Sequence, residues 1–335
     1  MSRQLSLFEG GRPGAERAAT ISPAAAAMEW RELARQLPPG LRLGTSSWHF
    51  PGWRGLVWAD TAAPGDLSRY GLSAYAQHPL LSTVGIDRSF YAPLSVRQYA
   101  AYAGQVPEDF RFVVKAPSLV TSQWLPGEGG FRGGSNPNFM DLAYATEQFV
   151  APALEGLGTR AGPLLFQFPP LGRTLTRAPE RFIAQLQAFL SGLPKGPHYA
   201  VEVRDDRVIT RRFFASLKEA GARYCVGVHP RMPAVAAQAA AMSGFGPGPL
   251  LIRWNLKAGY GYEEARNRFT PFDHLVDEDV ATRESIAQLC MATLSAGQDC
   301  TIIVNNKAEG SAPLSVVKLA QAIVAAARSR AAQAG

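Results

Sequence analysis

The chain has 335 residues, 47% of them hydrophobic and 18% charged, with a formal net charge of +7. That is ample apolar material for a folded core, which excludes a wholly disordered or low-complexity chain. The mild positive charge admits an anionic partner without demanding one. Cys225, Cys290 and Cys300 form no C-x-x-C pair, and their odd number argues against a disulfide framework. No apolar run approaches membrane-spanning length. The first residues lack a basic start followed by a continuous apolar stretch, so a cytoplasmic protein without a membrane partner is expected.

Taken in chain order, residues 1–28 are rich in Ala, Gly, Ser and Arg with no sustained period, and they predict a disordered tail. A folded domain is expected over 29–335. Within it, eight apolar runs end in polar residues: Leu41–Ser47, Thr83–Ser89, Phe110–Ala116, Pro163–Phe168, His198–Arg204, Arg223–Val228, Leu250–Asn255 and Cys300–Asn306. Helical periodicity separates them, with apolar faces in Arg177–Ser191, Arg283–Leu294 and Ala312–Ala327. Buried parallel strands alternating with helices predict an α/β fold, a single (β/α)8 TIM barrel behind a disordered N-terminal tail. Two long loops, Ser118–Asn138 (with GEGGFRGG) and Lys257–Phe272, follow the third and seventh strands, where a barrel places its lids.

Strand alternation sorts the side chains. In the fifth strand Tyr199, Val201 and Val203 share the helix side, so Glu202 and Arg204 point into the barrel. The same parity turns Asp87, Lys115, Gln167 and Arg253 inward, joined by Asn305 or Asn306. Buried charges are costly unless paired. This ring is therefore either a structural network or a ligand site with tuned acid–base groups, and its place at the carboxyl ends of the strands favours the site.

Six segments resemble one known family: GTSSWHFPGW (Gly44–Trp53), SFY (Ser89–Tyr91), FRFVVKAP (Phe110–Pro117), LLFQFPP (Leu164–Pro170), VEVR (Val201–Arg204) and NNKAEGSAP (Asn305–Pro313). The family is that of domain of unknown function 72, and the resemblance covers roughly Leu41 to Val324. It implies a TIM barrel similar in shape to endonuclease IV and xylose isomerase, and marks Trp48, Tyr91, Lys115, Gln167, Glu202, Arg204, Asn305 and Asn306. One departure stands out. Where the family usually has Glu and then Asn before its S-x-F-Y segment, this chain has Gly85 and Asp87, so one inward carboxylate is missing. In the tail, QLSLF (Gln4 to Phe8) resembles the pentapeptide that docks bacterial proteins on the sliding clamp. Gln4 would anchor by hydrogen bonds, while Leu5, Leu7 and Phe8 fill apolar pockets.

No Walker loop, H-E-x-x-H or G-x-S-x-G occurs. No cofactor is expected. A divalent metal is the less favoured alternative, with Asp87, Glu202, His49 and His229 as its ligands. Trp48, Phe50, Trp53, Tyr91, Trp124, Trp254, Tyr260 and Tyr262, with Arg54, Arg88, Lys257 and Lys307, supply rings and cations near the expected mouth, a pairing that suits nucleic acid, nucleotides or sugars. The leading expectation is binding or processing of a phosphorylated or nucleic-acid ligand in DNA repair or replication, a hydrolase being one possibility. Glu202, Lys115 and Asp87 would be catalytic. Glu202 would carry protons, Lys115 and Arg204 would hold anionic oxygens, and Gln167 and Asn306 would orient the ligand. Tyr91, Arg253, Asn305 and Trp48 would complete the binding set. Two alternatives are a metal-independent enzyme of sugar or small-molecule metabolism and a non-catalytic, clamp-associated adaptor.

Overall fold

All eight apolar runs form strands, and the strands close on themselves. The computed structural model describes residues 20–127 and 132–334. Its strands are β1 (Leu41–Thr45), β2 (Thr83–Ile86), β3 (Arg111–Lys115), β4 (Trp124–Pro126), β5 (Arg132–Ser135), β6 (Ala161–Gln167), β7 (Tyr199–Glu202), β8 (Arg223–Val228), β9 (Leu250–Trp254) and β10 (Cys300–Val304). Eight of them make a closed barrel in the order β1-β10-β9-β8-β7-β6-β3-β2, every pair parallel. The expected α/β barrel is the fold.

Two apolar layers build it. Outward strand residues such as Val84, Phe112, Phe166, Val201 and Ile302 pack with the surrounding helices in the main core. Burying such side chains contributes about 1.5–3 kcal/mol each before chain entropy is charged against it. Inside the barrel, Val113, Leu165, Ala200, Cys225, Leu251 and Ile303 form a separate buried cluster. Each comes from a different strand, and all but Cys225, which Gly227 follows, lie two residues before a polar residue at or just past the end of the strand. The step of two then sends Lys115, Gln167, Glu202, Arg253 and Asn305 to the interior just above this plug. The plug fills the barrel and leaves its carboxyl end as the place for polar chemistry.

The predicted helices appear as Pro179–Gly192, Val280–Ser295 and Ala312–Ala334. Three features differ from the sequence expectation. The tail was expected to run to residue 28, yet Ala24 and Ala27 are buried, Ala24 N–H donates to Val57 carbonyl at 2.9 Å, and Pro23 bridges to Trp58. The insertion after β3 holds the helix Ser118–Thr121 and the antiparallel pair β4–β5. Asn136 fastens it, donating to the carbonyls of Leu119 at 2.7 Å and Ser122 at 2.6 Å. The segment after β9 contains the helix Tyr262–Phe269, whose Ala265 and Phe269 bury themselves against Leu256 and Phe272. Gln4–Phe8 lies outside the described residues. Among the described residues no helix is long and apolar enough to cross a membrane.

Candidate functional site

Glu202, the last residue of β7, is fully buried at the centre of the barrel mouth. Both of its oxygens are taken. Arg204 Nη2 lies 2.5 Å from Oε1, and Arg253 Nη1 donates to Oε2 at 2.6 Å. Asn255 Nδ2 also donates to Oε1, at 3.2 Å. The second arm of Arg253 reaches Asp87, with Nη2 at 3.4 Å from each carboxylate oxygen. The result is a chain of charges, Arg204–Glu202–Arg253–Asp87, strung across the mouth. Its members come from β7, β9 and the end of β2, so closure of the barrel is what assembles it.

Glycines make room for this chain. Gly227 of β8 pairs with Arg253 of β9. A Cβ there would lie 3.1 Å from Glu202 Oε1 and 3.4 Å from Arg204 Nη1. At Gly85 a Cβ would come within 2.9 Å of the Ser46 carbonyl oxygen, backbone that cannot swing aside. The missing carboxylate is therefore more than a lost side chain. Here β2 lies too close to the backbone after β1 to carry one without a shift of the barrel wall. Asp87, one third exposed, supplies the negative charge two residues later.

The electrostatics sort the roles. Burial alone would raise the Glu202 carboxyl, but the Arg204 and Arg253 guanidinia outweigh it and hold it below the usual range. A carboxylate with both oxygens occupied and its proton disfavoured is a fixed counter-ion. The expected proton-carrying role for Glu202 does not fit this geometry. Arg253 moves the other way from an ordinary arginine. Burial lowers it, yet Glu202 and Asp87 raise it further, so it is permanently charged. Lys115 is different. Burial pulls its ammonium down to about 8, with Asp87 offsetting part of the fall and Arg253 deepening it. Its nitrogen rests 3.6 Å from the centroid of the Phe90 ring. Lys307, also lowered by burial to about 8, lies 4.2 Å from the centroid of Tyr262. His229 is held down at about 4 by burial and by Arg204, so it is neutral near pH 7.

The other expected site residues divide into those the mouth gathers and those the fold uses elsewhere. Gln167, at the end of β6, stands in register with Glu202. Tyr91 is 73% exposed and Tyr262 is 56% exposed. Tyr91 and Asp87 both help raise the Tyr262 phenol, after burial. Asn305 Nδ2 donates to Ser46 Oγ at 2.8 Å, linking the ends of β10 and β1. Asn306 turns away from the interior. Its Oδ1 accepts from Trp53 Nε1 at 3.1 Å and from the Ala312 N–H at 2.8 Å, so it ties the start of the last helix to the core. Trp48 is buried too, donating from Nε1 to the Leu67 carbonyl at 3.1 Å and meeting Tyr102 edge-on. Trp53 and Trp254 are wholly buried core residues. Ligand contact by Trp48 or Asn306 is thus replaced by packing. Glu309, three residues on, is structural as well, receiving Arg283 at 2.5 Å and the Asp279 N–H at 2.7 Å.

Asn255 escaped the sequence reading as a member of the site, and Lys307 was read only as one of several cations near the mouth. Asn255 continues the inward parity of Leu251 and Arg253 one step past β9, a signal that was present. Lys307 lies in a short 3-10 turn, Asn306–Ala308, where strand parity no longer applies. The alternative metal set does not assemble, because among the described residues no three His, Cys, Asp or Glu side chains gather around a common point. His49 accepts or donates at Nδ1 with Ser47 Oγ at 2.7 Å and stacks on Phe50. Both Glu202 oxygens are already engaged by cations.

The model of the family described as "Protein of unknown function DUF72" matches residues 42–334. The chain belongs to that family. A DUF72 family protein from Enterococcus faecalis V583 is 20% identical over 84% of this chain and 95% of its own, with a TM-score of 0.57. One from Thermotoga maritima MSB8 is 19% identical over 84% of this chain and 98% of its own, with a TM-score of 0.54. These likenesses concern the fold. No curated protein matches the chain.

Proposed function

We propose that this DUF72 family protein binds a small phosphate-bearing molecule in the mouth of its barrel and acts on it there. The observation that carries the reading is an imbalance of buried charge. Among the described residues, Arg204, Arg253, Lys115 and Lys307 stand around the Glu202 and Asp87 carboxylates, and Glu263 and Arg266 beside Lys307 offset each other. Among the described residues, Arg204 Nη1 is buried without a hydrogen-bond partner. An unmet guanidinium arm among buried cations is a donor that an anionic oxygen would satisfy once the side chains over it give way. Tyr91 and Tyr262 offer exposed rings beside it, suited to a sugar or base carried by the same ligand.

The burial of the cations separates a small ligand from a polynucleotide. Arg204, Arg253 and Lys307 are each less than a tenth exposed. Polynucleotide phosphates run along the outside of a strand and are met by cations displayed on a surface. A phosphate that enters the barrel is better matched by these. In a thermal-shift panel, phosphate monoesters such as ribose 5-phosphate are expected to raise Tm while ribose leaves it unchanged. Stabilisation by single-stranded oligonucleotides alone would return the reading to nucleic acid, and stabilisation by ribose and ribose 5-phosphate alike would remove the phosphate from it.

Docking of Gln4, Leu5, Leu7 and Phe8 on a bacterial sliding clamp is a separate proposal about a partner, supported by the sequence motif alone. A labelled peptide of residues 1–12 titrated with the clamp is expected to bind saturably, and the same peptide with Gln4→Ala and Phe8→Ala is expected not to. Equal binding by the two peptides would remove the clamp from the account.

A further inference from the structure

We infer that Lys115 is the nucleophile of the site, and that its amine condenses with a carbonyl group carried by the phosphorylated ligand to form an imine. The inference rests on the phosphate-binding reading above and names what happens beside the phosphate.

Position comes first. Lys115 ends β3 on the interior side, two residues above the plug residue Val113. Its backbone is fixed, because Ser89 Oγ donates to the Lys115 carbonyl at 2.5 Å and so clasps the turn after β2 to the end of β3. Among the described residues its amine nitrogen has no ion pair and no hydrogen bond, and the contact it makes is with the face of Phe90, 3.6 Å from the ring centroid. Glu202 and Asp87, the two carboxylates of the mouth, are both engaged by guanidinia instead. A buried lysine used to complete a structural network would be expected to hold one of those oxygens. This one stands apart from the network, partly open to the mouth, with its nitrogen lone pair uncommitted once the proton leaves. Burial and the neighbouring arginines favour that loss.

The step balances without an added oxidant or reductant. The neutral amine attacks the carbonyl carbon, a C–N bond forms, and the π electrons of C=O pass to oxygen. That oxygen takes up the proton released by nitrogen, giving a carbinolamine. A second proton, from solvent or an acid in the mouth, lets the oxygen leave as water and C=N forms. Arg204 Nη1 supplies the donor that would hold the phosphate while the carbonyl meets Lys115. A protonated imine draws electrons from its neighbouring C–H and C–C bonds, so the class of reaction it serves is isomerisation or carbon–carbon cleavage of a phosphorylated sugar.

Borohydride trapping tests this on the full chain. The protein is incubated near pH 8 with ribose 5-phosphate or with ribose, reduced, digested and mapped by mass spectrometry. The chain has six lysines, so the competing positions are few: Lys195, Lys218, Lys257, Lys307 and Lys318. The expected result is a mass increase equal to the sugar phosphate less one oxygen atom at Lys115, on the order of tenfold above the exposed lysines, and much less from ribose. Equal labelling of Lys115 by both sugars keeps the imine and overturns the phosphate reading. Stabilisation by ribose 5-phosphate in the thermal-shift panel with no preference for Lys115 in the map overturns the imine and keeps the phosphate. Labelling centred on Lys307 overturns the assignment to Lys115. The wild-type map is the primary result, so the outcome does not depend on whether Lys115→Met folds.

Discussion

Replacing Glu202 by alanine is expected to cost about 3–5 kcal/mol of stability, the scale on which a buried ion pair fails when one partner is removed. The physical reason is that Arg204 and Arg253 converge on this carboxylate at 2.5 and 2.6 Å, and both are almost fully buried. Without it, two nearly buried guanidinia face each other with little water to screen them. Arg253 keeps Asp87 at 3.4 Å, a longer contact to a partly exposed group, which offsets only part of the loss. Removing the opposing charge as well, in Glu202→Leu with Arg253→Met, is expected to recover a substantial share of the stability, as apolar replacement of a buried pair often does. Urea unfolding followed by far-ultraviolet circular dichroism measures both. The contribution also has a pH signature. The Glu202 carboxyl is held below its ordinary 4.5, so its share of stability is complete above that value and is lost as the pH falls through the depressed pKa. A Glu202→Ala protein as stable as the wild type would show that the charge chain across the mouth is solvated and that Glu202 is free for other work.

Much of this architecture is legible from residue order. The step of two that separates Ala200 from Glu202 and Leu251 from Arg253 is enough to assign the interior set, because buried strands on both faces leave parity as the one discriminator of side-chain direction. What parity cannot carry is the chain beyond the strand end. β10 stops at Val304, so Asn305 still follows the interior direction while Asn306 belongs to a turn and serves Trp53 and Ala312. Residue type misleads in a similar way at Trp48. A tryptophan near a mouth suggests stacking on a ligand, yet the indole N–H found a backbone carbonyl and the ring found Tyr102. The pair β4–β5 is short and carries Gly133 and Gly134, with too little alternation to announce itself. The depression of the Lys115 ammonium is the least legible property. Nothing in the composition of FRFVVKAP distinguishes a lysine at about 8 from an ordinary one, because the shift arises from burial and from arginines that lie far along the sequence.

Affinity for a phosphate monoester is expected to fall roughly 10- to 150-fold in Arg204→Lys, the equivalent of about 1.5–3 kcal/mol for a hydrogen bond to a charged group. Lysine preserves a positive charge for Glu202 but has no second arm, and it is the second arm, Nη1, that lies buried without a partner. The substitution thus separates the ion pair from the ligand contact. The phosphate contact in the wild type is also expected to weaken as the pH rises through about 8, because Lys307 is cationic below that value and neutral above it. Lys307→Met is expected to flatten that decline while leaving the Arg204 contribution intact. Calorimetric titration of ribose 5-phosphate into the wild type and Arg204→Lys, at pH 7 and at pH 9, measures these effects together. The account predicts saturable binding to the wild type, weaker at pH 9, and a loss of at least tenfold in Arg204→Lys at pH 7. Equal affinity of the two proteins at both pH values would contradict it.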